Sequence, residues 1–192
     1  PRPAPPPAQP HAAPLPARWL QFLGQVWPND PEAIATLQEL AGYLLTPDTS
    51  QQKLFLIVGP KRSGKGTIAR VLTALLGPAN VASPTLGGLA KDFGLQPLVG
   101  KLAAVVSDAR LSGRPDQREV AEHLLRISGE DQVEVNRKFL APLALRLGVR
   151  FVLLTNELPR IADASGAMAS RFVILTMSES FYGREDPALT GR

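Results

Sequence analysis

The sequence contains no cysteine and only two histidines among its 192 residues. The absence of cysteine excludes disulfide bonds and thiolate metal sites. The two histidines, His11 and His123, lie far apart in the chain, so we expect no histidine metal cluster. No run of eighteen apolar residues is present, which argues against a membrane-spanning helix. The net charge of +4 is a mild indication of an acidic partner such as nucleic acid.

Proline is concentrated at the start of the chain, where the first sixteen residues hold eight of the nineteen prolines. This composition predicts an extended linker over residues 1–16. Because the chain opens at Pro1 inside that linker, we expect a fragment of a longer protein with a domain upstream, or alternatively a native tail exposed by processing. Residues 17–50 are predicted to form a small helical region, and residues 51–192 the main domain.

Apolar runs of strand length alternate with segments of helical periodicity. Asp30 before Pro31 is a typical helix start, and Gly77 is a typical helix end. Apolar strands separated by helices predict an α/β fold, in which a central, mostly parallel sheet is covered on both faces. The predicted strands are Lys53–Val58, Leu102–Val106, Phe151–Thr155 and Phe172–Met177, and the predicted helices include 68–76 and 117–127.

A phosphate-binding loop is the strongest motif in the chain. Gly59 begins it after a predicted strand, and Gly64 and Lys65 end it before a predicted helix. Glycines allow backbone amides to turn towards phosphate, and the lysine reaches the terminal phosphates. We therefore predict that the loop binds ATP. Its residues are Gly59, Pro60, Lys61, Arg62, Ser63, Gly64, Lys65, Gly66 and Thr67.

The magnesium ligand expected after the lysine is displaced by one position. Gly66 stands where Ser or Thr is usual, so either Thr67 ligates Mg²⁺ or the ion keeps an extra water there. Asp108 follows a predicted strand and fits a metal-holding carboxylate. Its neighbours, Ser107 and Ala109, are not acidic, so Asp108 is a metal ligand, a base, or both. Asn156 follows the next predicted strand and could orient the attacking water.

Longer stretches of the chain resemble the superfamily 3 DNA helicase domain of phage and plasmid primase–helicases, which are AAA+-like P-loop ATPases. The resemblance covers nearly everything after the linker, and the segment from Thr155 to Arg160, with Arg171 fifteen residues after Asn156, is its most specific part. The other matching segments are Trp19–Leu23, Gly42–Leu45, Gly100–Leu102, Ser128–Asp131, Arg137–Lys138, Asp163–Ala167 and Ser170–Phe172.

The resemblance implies a three-layer P-loop fold that hydrolyses ATP with Mg²⁺ in a ring, most often a hexamer, and translocates on single-stranded or forked DNA. It implies Lys65 and Asp108 as the two Walker residues, Asn156 as the sensor, and Arg171 as an arginine finger that acts on a neighbouring subunit. Arg160 is the competing finger. The resemblance also implies an upstream primase domain, a missing C-terminal segment, and a location in the cytoplasm of a bacterial or phage-infected cell.

The same resemblance maps a DNA-contacting loop onto Ile127–Lys138. Arg137 and Lys138 match its basic end and would contact phosphates without reading sequence. Few aromatic residues lie near this basic end, so we do not expect base stacking there.

Two other functions fit the phosphate loop. The sequence Gly64-Lys65-Gly66-Thr67 also occurs in adenylate-kinase-like enzymes, although those usually open with the loop strand. The lack of an acid beside Asp108 is compatible with an ATP switch that assembles on DNA without hydrolysis. A GTPase is disfavoured, because the segment after Thr155 is not a guanine-reading motif.

Overall fold

The computed structural model describes residues 14–109, 116–158 and 166–186. The predicted linker lies almost wholly outside these residues, as do Arg160 and Asp163. The helices are α1 (Ala17–Val26), α2 (Pro31–Leu44), α3 (Lys65–Leu76), α4 (Leu86–Leu89), α5 (Gln117–Ser128) and α6 (Ala167–Arg171). The strands are β1 (Leu54–Val58), β2 (Val81–Ala82), β3 (Ala103–Val106), β4 (Gln132–Arg137), β5 (Leu140–Arg146), β6 (Arg150–Thr155) and β7 (Phe172–Thr176).

Five strands form one sheet in the order β2-β3-β6-β1-β7, and every pair in it is parallel. The sheet confirms the predicted α/β fold. All five residues of β1 are buried, because β1 lies between β6 and β7 and is covered on both faces. Val58 is in register with Thr155 of β6 and with Thr176 of β7. The carboxyl ends of these three strands therefore meet at one edge of the sheet.

Two apolar cores lie on opposite faces of the sheet. Side chains of β1 alternate between them: Leu54 and Leu56 pack with α4, α5 and the β4–β5 hairpin, whereas Phe55 and Ile57 pack with α1, α2 and α3. Helices α1 and α2 thus share a core with the sheet. This packing fixes α1 beside the loop that follows β1.

The helix ends follow the predicted signals. Asp30 caps α2, because its Oδ1 accepts a hydrogen bond of 2.9 Å from the backbone N–H of Ala33. Gly77 ends α3 with a φ of 80°, a conformation that a residue with a Cβ adopts only at a cost. None of the helices in the described part of the chain is long and apolar enough to cross a membrane.

The predicted loop over 127–138 is instead mostly regular structure. Ile127 is buried and belongs to α5, and residues 132–137 form β4, which pairs antiparallel with β5. Val133 and Val135 of β4 point into the core, whereas the alternate residues Gln132, Glu134 and Asn136 are exposed. Lys138 lies in the short connection between β4 and β5.

Candidate nucleotide site

The phosphate loop runs from the end of β1 into α3, as predicted. Gly64 has a φ of 100° and precedes the first residue of α3. A Cβ on Gly64 would lie 2.8 Å from Cζ of Phe22 on α1. At Gly59 a Cβ would lie 2.7 Å from Cβ of Met177. Close packing therefore requires both glycines, and the backbone conformation at Gly64 also favours glycine.

A cavity of about 790 Å³ opens above this loop. Its size suits a ligand such as a nucleotide. The cavity wall is formed by the phosphate loop, by helices α1 and α3, by Asn156 and by the C-terminal segment. The lining residues are 61–67 of the loop, Arg70 of α3, Arg18, Gln21, Phe22 and Gln25 of α1, and Phe181, Arg184, Glu185 and Asp186 of the C-terminal segment.

The wall of the cavity is strongly basic. It carries six basic side chains and two carboxylates, and a surplus of cations favours a polyphosphate. The basic residues are Arg18, Lys61, Arg62, Lys65, Arg70 and Arg184. The two carboxylates are paired with two of these arginines: Arg18 lies 3.5 Å from Asp186, and Arg62 lies 3.4 Å from Glu185.

Lys65 is held against its own loop. Its Nζ donates to the carbonyl oxygens of Gly59 at 2.6 Å and Pro60 at 2.7 Å, and to Oγ of Ser63 at 3.2 Å. Burial lowers the pKa of Lys65 from its ordinary value, because the charged form loses hydration there. The three oxygens that accept from this ammonium are uncharged, so a bound phosphate would supply a negatively charged partner.

Asn156 and Asp108 both lie at the edge of the sheet that carries the loop. Asn156 follows β6 directly and lines the cavity. Val106 of β3 is in register with Leu153 of β6, and the backbone N–H of Ala109 donates to the carbonyl oxygen of Leu154 at 2.8 Å, so Asp108 lies beside the carboxyl end of β6. Asp108 follows a strand two places from β1, about 10 Å across the sheet, and it is not part of the cavity wall.

The chemistry of this edge fits a magnesium ion. The described residues contain no group of three His, Cys, Asp or Glu side chains that could hold a metal, but Mg²⁺ commonly uses one or two protein ligands together with water and phosphate. Thr67 lies in the cavity wall, and its Oγ1 accepts a hydrogen bond of 3.2 Å from Arg70. Thr67 and the carboxylate of Asp108 are candidate oxygen ligands, and the cavity wall also carries the amide oxygen of Asn156 and the paired carboxylates of Glu185 and Asp186.

Arg171 lies at the opposite side of the sheet from the phosphate loop, where the amino ends of the parallel strands are. It ends α6, immediately before the first residue of β7, and it is half-buried. Its Nη1 donates to the carbonyl oxygen of Leu125 at 2.7 Å and to Oγ of Ser128 at 2.9 Å. These contacts tie the C-terminal end of α5 to α6, so Arg171 does not reach the cavity of its own chain.

The turn between β4 and β5 presents a basic and aromatic tip. Arg137 Nη2 donates to the carbonyl oxygen of Ala141 at 2.8 Å, and the backbone N–H of Lys138 donates to Oε1 of Gln96 at 3.2 Å. Phe139 has a φ of 63° and is 92 % exposed. The ammonium of Lys138 lies 5.1 Å from the centre of its ring. One aromatic ring therefore lies beside the predicted DNA contact.

The contribution of α1 and of the C-terminal segment to the cavity was not predicted from the sequence. Arg18, Gln21 and Gln25 recur at intervals of three and four residues, which places them on one helix face. That periodicity was available in the sequence. The contact of residues 180 and 181 with the loop was not, because it joins positions 119 residues apart.

Comparisons with known proteins agree with this fold. The model of a family described as "Family of unknown function (DUF5906)" matches residues 57–171. Two apo structures of the NrS-1 C-terminal region match with TM-scores of 0.71 and 0.73 at 15% and 17% identity, and cover 91% of this chain. A structure of JCV helicase bound to a thiazolopyridine acetamide matches with a TM-score of 0.53 at 19% identity, and covers 90%. The alignments span 41%, 42% and 48% of those chains, so this chain corresponds to less than half of their length.

Proposed function

We propose that this chain, which belongs to the DUF5906 family of unknown function, is the ATP-hydrolysing domain of a DNA helicase. The observation that carries the proposal is the basic cavity formed by Lys61–Thr67, with Asn156 in its wall and Asp108 at the same edge of the sheet. A cationic loop with inward amides suits a triphosphate. Two polar side chains at the ends of neighbouring strands suit hydrolysis at its terminal phosphate.

In this proposal each residue of the site has a distinct part. Lys65 leaves the carbonyl oxygens of its own loop and bonds the β- and γ-phosphates. Asn156 orients the attacking water. Thr67 and Asp108 would hold Mg²⁺, which would offset charge on the phosphate oxygens. Asp108 either acts through the metal alone or also accepts a proton from water.

The finer parts of the proposal extend beyond this chain. We place the domain in a phage- or plasmid-type primase–helicase that forms a ring, as a hexamer, with Arg171 completing the site of the next subunit. Arg137 and Lys138 would contact DNA phosphates from the hairpin tip, and Phe139 would add a stacking surface. The fold that this chain shares with JCV helicase supports the helicase assignment, although at 19% identity it shows the fold alone.

The test is ATP hydrolysis by the full-length protein, with and without single-stranded DNA. We expect Mg²⁺-dependent hydrolysis that DNA stimulates. Lys65→Ala should abolish hydrolysis, and Asp108→Asn and Asn156→Ala should lower turnover far more than they weaken ATP binding. The matched control is Lys91→Ala, because Lys91 is exposed and lies outside the cavity.

Each failure of this test has a defined meaning. Wild-type turnover in Lys65→Ala would refute the phosphate-loop assignment. Phosphate transfer from ATP to a nucleotide, without stimulation by DNA, would favour the adenylate-kinase-like alternative. ATP binding without turnover would favour an ATP switch that assembles on DNA, an alternative supported by the distance of Asp108 from the cavity wall.

A further inference from the structure

Part of the cavity lies beyond the phosphate loop and has no role in the hydrolysis proposed above. One wall of it is the face of α1 that carries Arg18, Gln21 and Gln25. These residues lie on successive turns and face the same way. Phe22, next to Gln21, is buried against Gly64 and holds α1 beside the loop. The position of this polar face relative to the phosphates is therefore fixed by packing.

The opposite wall is the segment that follows β7. The backbone N–H of Phe181 donates to the carbonyl oxygen of Arg62 at 3.0 Å, and Oγ of Ser180 donates to that of Lys61 at 2.9 Å. The ion pair of Arg18 with Asp186 joins this wall to α1. The two walls thus form a crevice that continues from the phosphate loop.

Helix α1 presents two glutamine amides to this crevice. Gln21 and Gln25 are exposed, and neither amide hydrogen-bonds to another residue in the described ranges. An amide offers a donor and an acceptor side by side. Along the edge that carries N7, adenine presents a matching acceptor and donor, whereas guanine presents two acceptors and is better matched by arginine or lysine.

We propose that this crevice holds the nucleoside part of the nucleotide, and that the amides of Gln21 and Gln25 select adenine over guanine. The proposal rests on the proposed function, because phosphates seated in the loop determine where the nucleoside emerges. Arg18, the arginine on the same face, is engaged by Asp186. The glutamines are therefore the groups that this face offers to a base.

The experiment compares binding of ATP, GTP and inorganic tripolyphosphate to the full-length protein. Tripolyphosphate probes the loop alone, and the two nucleotides probe the crevice. In the double variant Gln21→Leu, Gln25→Leu, we expect ATP to bind roughly 5- to 150-fold more weakly, the range for loss of one two-bond contact to a base. Tripolyphosphate affinity should not change. Gln38→Leu is the matched control, since Gln38 is exposed on α2 and outside the cavity.

A second variant guards against a change in α1 itself. Gln25→Met keeps a similar side-chain length but removes both hydrogen-bonding groups without adding charge, so ATP affinity should fall while tripolyphosphate affinity changes no more than in a surface control such as Gln38→Met. Unchanged ATP affinity in the double variant would overturn the proposal, as would a parallel loss of ATP and tripolyphosphate. Wild-type protein that binds tripolyphosphate but treats ATP and GTP alike would refute the adenine-selective crevice and leave the phosphate loop intact. Wild-type protein that binds none of the three would refute both.

Discussion

The replacement Gly64→Ala tests the link between the phosphate loop and α1. Gly64 has a φ of 100°, in the left-handed region. An alanine there costs about 1–2 kcal/mol. Its Cβ would lie 2.8 Å from Cζ and 3.1 Å from Cε2 of Phe22, which is buried. The ring must move by a few tenths of an ångström in a close-packed core, which costs a further ~1–3 kcal/mol.

The gain from a less flexible unfolded chain, about 0.4–1 kcal/mol, offsets only part of this cost. We therefore expect Gly64→Ala to lower the free energy of unfolding by about 1–5 kcal/mol. The measurement is urea unfolding of the nucleotide-free protein. Gly66→Ala is the matched control. Gly66 lies inside α3 with its nearest other atom at 3.5 Å, so alanine there should raise the free energy of unfolding by roughly 0.5–1 kcal/mol.

A double-mutant cycle with Phe22→Leu identifies the source of the cost. Leucine lacks the ring atoms that the new Cβ would meet, so part of the Gly64→Ala cost should disappear in the double variant, with a coupling of about 1–2 kcal/mol. Two results would refute the reasoning. One is a Gly64→Ala protein as stable as Gly66→Ala, and the other is additivity of the two replacements within experimental error.

Three further predictions concern the site and the surfaces proposed to act with it. Lys138→Ala should weaken the binding of single-stranded DNA and reduce the salt dependence of that binding by about one ion. Phe139→Leu should weaken DNA binding by roughly 5- to 150-fold and leave its salt dependence unchanged. Tyr182→Leu, at another exposed aromatic position, should change neither the DNA affinity nor its salt dependence. The Arg171→Ala protein should bind ATP but hydrolyse it poorly. Mixing it with the Lys65→Ala protein should recover part of the activity, because one interface in the mixed ring joins an intact phosphate loop to an intact Arg171. Rates that merely average those of the two variants would contradict a role of Arg171 in a neighbouring subunit. ATP affinity should fall as pH rises towards the lowered pKa of Lys65, because bound phosphate stabilises only the charged form of the lysine. Any ATP binding that Lys65→Arg retains should not show this fall, since arginine stays protonated. A wild-type affinity that does not change with pH in that range would contradict this role of Lys65.

The parts of the fold that the sequence predicted are those that local physics determines. The strand β1 is a run of five apolar residues because it is buried on both faces. Asp30 begins α2 and Gly77 ends α3 through contacts within a few residues. The loop between Gly59 and Thr67 was recognisable from its glycine spacing, and Gly64, with a φ of 100°, is needed for the backbone path itself.

The parts that the sequence did not predict depend on distant contacts or on weaker patterns. The hairpin was interpreted as a loop, although Val133 and Val135 alternate with exposed residues as a half-buried strand requires. The strand β2 has only two residues, which is too short for a pattern. The crevice beside the loop requires α1 and the segment near Phe181 to meet the loop, and no local sequence signal encodes that meeting.

The placement of Arg171 limits how this residue could act as an arginine finger. Met177, just beyond β7, accepts a hydrogen bond from Ser63 in the phosphate loop, whereas Arg171 precedes the first residue of the same strand. The five residues of β7 span about 16 Å. One chain therefore presents its phosphate loop at the carboxyl ends of the strands and Arg171 at their amino ends. If Arg171 acts on ATP, it must therefore act on a second copy, and a head-to-tail contact repeated around a closed ring gives every loop one such arginine. The hydrogen bonds to Leu125 and Ser128 would then hold the guanidinium in position before the neighbour arrives. Hydrolysis per subunit should accordingly rise with protein concentration until the ring has assembled.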